Sequence, residues 1–301
     1  MERPGLVNWI RLVVVAIIWG GAFLGVSIAL RHMPPVTLAA GRITVGAVAL
    51  YVLMRARGVH LPPLSDRRLW KFILIIAVLS SALPFGLLSW GQSHVSSGFA
   101  GMTMAAVPLF VLPLAHAFVP GDQMNRRKTF GFVIGFIGTV ILIGTDDMTG
   151  GATVIEMIAR IACIAAALCY ACNSIFTKRC PDVNELALSA AALITASLIM
   201  VPLALAVDGI PERFGAEGWM ALAYLGLIPT AAAYLLKVAI VRSAGPSFMS
   251  LVNYQVPIFA VLLGALVLGE SLPRQLWIAL ALVLFGVGIS QWPTLKRLLN
   301  R

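Results

Sequence analysis

Charge is what this chain has little of. Its 301 residues include 22 Lys and Arg and only 12 Asp and Glu, 11% charged in all against 60% hydrophobic. Soluble domains usually carry about 25% charged residues, so the composition excludes an ordinary soluble fold. Carboxylates are missing from the middles of the apolar runs: Glu156 and Glu270 both stand near run ends. Proton-coupled pumps commonly place a carboxylate within the membrane, so its absence weighs against obligatory proton antiport. His94, His116 and Lys237 remain as titratable groups, each nearer a run end than a centre. A lysine so placed reaches the interface by snorkelling.

Cysteine is equally scarce. Cys163, Cys169, Cys172 and Cys180 all fall on or beside one apolar run, which gives neither a disulfide framework nor a zinc site. Enzyme signatures are also missing. There is no HExxH, GxSxG, P-loop or pair of carboxylates, so neither catalysis nor a cofactor or metal is expected. No cleavable signal is evident, since the first apolar run, Leu12 to Leu30, is longer than a signal core. The net charge of +10 does not point to nucleic acid, because the basic residues lie between the apolar runs, where a membrane surface explains them.

What the chain does have is length without charge. A bilayer core of about 30 Å needs about 20 helical residues. Apolar runs at 12–30, 36–54, 72–91, 97–118, 129–145, 153–175, 186–207, 217–239, 247–268 and 275–292 meet that need. The expected fold is an all-α polytopic membrane protein of ten transmembrane helices. Phe72 to Gly121 contains no charged residue and divides at the turn-like GQSHVSSG, Gly91 to Gly98. An even count puts both termini on one side. With the N-terminus in the cytoplasm, sixteen Lys and Arg fall inside and three outside, the asymmetry of the positive-inside rule. The acidic loop Thr145 to Gly151 then lies outside.

The two halves echo each other. AVPLF at Ala106–Phe110 corresponds to QVPIF at Gln255–Phe259, Gly121-Asp122 to Gly269-Glu270, Arg126 to Arg274 and Gly138 to Gly286. Five helices per half is odd, so the copies, residues 1–148 and 149–301, are expected to be inverted repeats, a device of secondary transporters. IIWGGAFLGVS at Ile17–Ser27, Pro34-Pro35, Arg42, and VPIFAVLLGALVLGE at Val256–Glu270 together resemble the drug/metabolite transporter superfamily, EamA type. The bacterial aromatic amino acid exporters are the branch most similar. The resemblance implies alternating access in an inner membrane, a small-molecule substrate and the lipid bilayer as partners, and a monomer or weak dimer. It departs at Ser27, where the family often has lysine; the repeat mate is Lys178.

One cluster calls for explanation. Asn253, Tyr254 and Gln255 stand in a charge-free run from Ser243 to Gly269 and face Met104, Ala105 and Ala106 in the other copy, while Pro257 and Pro108 are shared. Folding needs act on both copies, so a polar trio in one of them points to a solute site; interhelical hydrogen bonding is the other reading. Trp19, Tyr170, Ser89 and Asn173 join it as candidate substrate-binding residues, with ring faces for an apolar solute and neutral amides for its polar end. Arg42 suits a substrate carboxylate, a helix end or a lipid phosphate equally. The expected function is export of small neutral or aromatic amino acids. Export of drugs or other metabolites is the alternative, and phosphosugar exchange would need a deeper basic cluster. Pro84 and Pro229 are candidate kinks.

Overall fold

A computed structural model describes residues 5–118, 124–143, 153–210, 214–244, 246–249, 251–270 and 274–299. Among them there is no strand. The chain runs through α1 (Leu6–Ala29), α2 (Pro35–Ala56), α3 (Arg67–Gln92), α4 (Ser97–Phe118), α5 (Arg126–Ile143), α6 (Val154–Arg179), α7 (Glu185–Val207), α8 (residues 215–244), α9 (Val252–Leu268) and α10 (Arg274–Leu299). A separate turn, Pro246–Met249, precedes α9. Among the described residues seven stretches are long and apolar enough to cross a membrane: α1 to α4, α6, α7 and Gly215–Lys237 of α8. Val252–Leu268 and Leu276–Ser290 are shorter apolar helices. Gly121, Asp122, the acidic loop and the 148/149 division lie outside the described residues.

Several helices run beyond the expected apolar limits. Leu6, Arg67, Arg126 and Arg179 are helical, because a backbone ladder continues past the hydrocarbon edge while charged side chains meet water. One helix starts later than expected. The run 247–268 is broken near Leu251, and α9 begins at Val252. The polar trio therefore occupies a first turn and not a mid-helix position. Pro257 has no N–H to give the Asn253 carbonyl, and Tyr254 N–H bonds only three residues back, to Leu251 O.

Two bodies of apolar packing organise the bundle. One joins α1, α4, α6, α9 and α10 around residues such as Leu12, Phe99, Ala166, Val256 and Val283. The other joins α2, α3 and α7 around Ile43, Ile76 and Leu193. The seam of α5 with α10 is made by glycines. A Cβ at Gly286 would strike the Gly131 carbonyl and the Gly135 backbone, so the two helix axes approach as closely as backbone allows.

Helix ends are closed across the chain. Pro34, the N-cap of α2, has no side-chain acceptor. Asp208, at the end of α7, supplies one: Thr37 N–H and Oγ1–H donate to its Oδ2 at 2.7 and 2.8 Å. At α4, Ser96 Oγ accepts from Phe99 N–H, while Ser97 and Gly98 N–H donate to Glu270 at 2.8 and 2.9 Å. Gly269 turns Glu270 back with φ 66°, a conformation that favours glycine. His32 Nε2 also lies 3.3 Å from Glu217 Oε2.

Two outcomes test this packing. Gly286→Leu inserts a side chain against backbone that cannot yield, and should lower stability by about 1–3 kcal/mol or more; an unchanged melting temperature in detergent would refute the glycine seam. Glu270→Ala strips two amides of a charged acceptor and should cost about 1–2 kcal/mol. Glu270→Gln, which keeps an acceptor, should lose less in the same thermal scan.

Candidate functional site

Two helices depart from α geometry at proline. In α3, residues Val78–Ala82 form a π segment just before Pro84, closed by Leu83 N–H to Val78 O. In α8, Gly226–Ala232 form another around Pro229, closed by Ala233 N–H to Ile228 O. The candidate prolines thus mark helix irregularities. Proline at 229 leaves the Leu225 carbonyl without its α-helical donor. The Thr230 hydroxyl fills the gap at 2.8 Å, in reach of its own helix.

That hydroxyl also accepts from Arg42. Arg42 Nε–H donates to Thr230 Oγ1 at 3.3 Å, and its guanidinium carbon sits 3.9 Å from the centroid of Phe85, the residue after Pro84. Arg42 is only 8% exposed, an interior position. The phenols of Tyr170 on α6 and Tyr224 on α8 are its electrostatic neighbours. Trp19 on α1 donates from Nε1 to the Pro229 carbonyl at 3.2 Å. Gly21 and Gly25 of α1 make room for Tyr224, whose ring a Cβ at Gly25 would meet at 3.0 Å. Four helices, α1, α2, α3 and α6, therefore converge on the interrupted backbone of α8, and the five bring together two rings of tyrosine, one of tryptophan, one of phenylalanine and one cation.

Of the expected site residues, Trp19 and Tyr170 belong to this cluster. Asn173 lies one turn beyond Tyr170, half-buried, and its Oδ1 accepts from Thr177 Oγ1 at 3.4 Å. Ser89 is sealed within the fold at 2% exposure, its carbonyl accepting from the Ser93 hydroxyl. Asn253, Tyr254 and Gln255 are half-buried. Gly20 packs on Phe259 and Ala260, so Gln255, four residues before Phe259, lies roughly 6 Å along the bundle from the level of Trp19. Sequence reasoning did not place Phe85, Tyr224 and Thr230 here. Their signal was their position beside Pro84 and Pro229, where irregular backbone within a membrane marks cavities.

The EamA-like transporter family profile matches residues 9–144 and again 157–291. The chain belongs to the EamA-like transporter family. Its helices and this membership make it a multi-pass membrane transporter. The Escherichia coli protein named "Uncharacterized inner membrane transporter YedA" is 27% identical over 273 residues, 90% of this chain and 86% of that one. A "Probable amino-acid metabolite efflux pump" of Salmonella typhimurium is 25% identical over 92% of each chain. A "Probable terminal-alkyne amino-acid exporter" of Streptantibioticus cattleyicolor is 25% identical over 95% of this chain and 94% of its own. A solved crystal structure, 20% identical, superposes with TM-score 0.66 over 95% of this transporter and 98% of that chain, a likeness of fold.

In this transporter Thr230 holds both a freed carbonyl and Arg42. Thr230→Val removes the hydroxyl that serves both and should destabilise by about 1–3 kcal/mol. Thr230→Ser keeps the hydroxyl and should melt near wild type; a Thr230→Val protein that melts like wild type while Thr230→Ser does not would show that the methyl, not the hydroxyl, matters.

Proposed function

We propose that this transporter exports small neutral or aromatic amino acids across the inner membrane by alternating access. The cluster at the α8 interruption carries the reading. It brings aromatic faces and polar groups from five helices to one place, the arrangement a small amphipathic solute needs. The printed names of two relatives, an amino-acid metabolite efflux pump and a terminal-alkyne amino-acid exporter, support the solute class. That of the Escherichia coli relative supports the inner membrane.

The proposed frame is ten transmembrane helices in two inverted five-helix repeats, residues 1–148 and 149–301, with both termini in the cytoplasm. Supporting it, π segments interrupt the third helix and the eighth, and the proline pair Pro108 and Pro257 each sits beside irregular backbone. A 3-10 turn, Met104–Ala106, lies before Pro108, and the break at Leu251 lies before Pro257. In this frame Trp19 and Tyr170 supply ring faces. Asn173 and the trio Asn253, Tyr254 and Gln255 line the route about a turn away, and Ser89 stands behind them. The paired interruptions let the outer and inner parts of α3 and α8 tilt separately while the caps of α2 and α4 move as units.

Counterflow in proteoliposomes tests the proposal. Vesicles preloaded with unlabelled phenylalanine, tryptophan or threonine should take up the labelled amino acid, with or without a pH gradient. Trp19→Ala and Gln255→Ala should each slow uptake about fivefold, the size of one lost stacking or hydrogen-bonding contact. Folded protein that moves none of these solutes, or moves only a phosphosugar, defeats the assignment.

A further inference from the structure

Arg42 is a buried cation with no carboxylate paired to it among the described residues. It is the eighth residue of α2, so its backbone lies about 10 Å from the helix start. Nε is engaged by Thr230, one face of the guanidinium is covered by Phe85, and its electrostatic neighbours are the neutral phenols of Tyr170 and Tyr224. Among the described residues no Asp or Glu pairs with it; the carboxylates Asp208 and Glu270 are taken by helix ends. Its two terminal amino groups have no hydrogen-bond partner among the described residues, and they are not sealed from the surrounding space.

A guanidinium fixed at Nε and on one face still presents the paired amino edge that matches two oxygens of one anion. We propose that Arg42 binds the carboxylate of the transported solute, so that the substrate class is a compact monocarboxylate with an apolar or aromatic body. The assignment deepens the transport reading above and rests on it for the solute's path. A single guanidinium neutralises one charge, which fits a carboxylate better than a phosphate dianion. Thr230 and Phe85 act as positioning residues: they fix the plane of the fork. Because both sit at the proline interruptions, solute binding at Arg42 would join α2 to the two helices with altered backbone.

The test is direct binding to the purified full chain in lipid nanodiscs, by calorimetry, of five probes. Phenylalanine and 3-phenylpropionate carry the carboxylate. Phenylalaninamide and 2-phenylethylamine lack it, and phenyl phosphate replaces it. The two carboxylates should bind at least tenfold more tightly than the amide and the amine, and phenyl phosphate no better than phenylpropionate. Arg42→Gln should erase that discrimination, and Thr230→Val should weaken carboxylate binding severalfold. Equal binding of the first four probes, preference for the phosphate, or no binding by any overturns the assignment. The wild-type comparison decides even if Arg42→Gln fails to fold. Counterflow separates the two claims. Selective carboxylate binding without counterflow removes the transport cycle and leaves Arg42 assigned, whereas counterflow of phenylethylamine as fast as phenylalanine removes the Arg42 assignment and leaves transport.

Discussion

Hydrocarbon gives a peptide group no hydrogen bond, and this fold answers that constraint at the starts of α2 and α4 and at the interruption of α8. An unpaired amide or carbonyl in lipid costs several kcal/mol. Hence Asp208 reaches the start of α2, where two prolines leave no local acceptor, and Glu270 reaches the start of α4. Within α8 the same need is met by Thr230, which turns its hydroxyl to the carbonyl that Pro229 has orphaned. Trp19 answers the Pro229 carbonyl itself.

The candidate site grows out of these repairs. A regular helix offers its neighbours only side chains, while an interrupted one offers backbone and the groups sent to satisfy it. Thr230 is placed by backbone need, and Arg42 then uses it as a fixed acceptor. Phe85, set beside Pro84, closes one face of the guanidinium. A charge at the centre of a membrane helix carries a penalty of about 2.5–3.5 kcal/mol or more. Among the described residues Arg42 offsets that penalty with a hydroxyl and a ring face and not with a carboxylate.

Much of this was legible in the sequence, and what was missed has a common cause. Apolar run lengths marked the helices because burial of side chains and bilayer thickness act along the chain. Pro84 and Pro229 marked the interruptions because proline's missing N–H is a local fact. The match of Gly269-Glu270 to Gly121-Asp122 marked Glu270 as special, though not as a cap, since its partners lie 173 and 172 residues away. Asp208 on Thr37, at a separation of 171, left no local trace at all. The polar trio was expected deeper in its helix because hydropathy reports the length of a run and is blind to a broken ladder within it. Arg42 was visible as a charge in an apolar run, yet its partners, a hydroxyl and a ring face from two other helices, are a property of helices meeting.

The direction of the trans caps bears on how the molecule is made. Both acceptors, Asp208 and Glu270, come after the helices they close. While the chain is being made, the first turn of α2 lacks its side-chain acceptor and that of α4 has only Ser96, so water at the interface is what can stand in for the missing carboxylates. Their seating is completed only when the last third of the chain has left the ribosome. The early helices thus receive their final caps only when the late ones arrive.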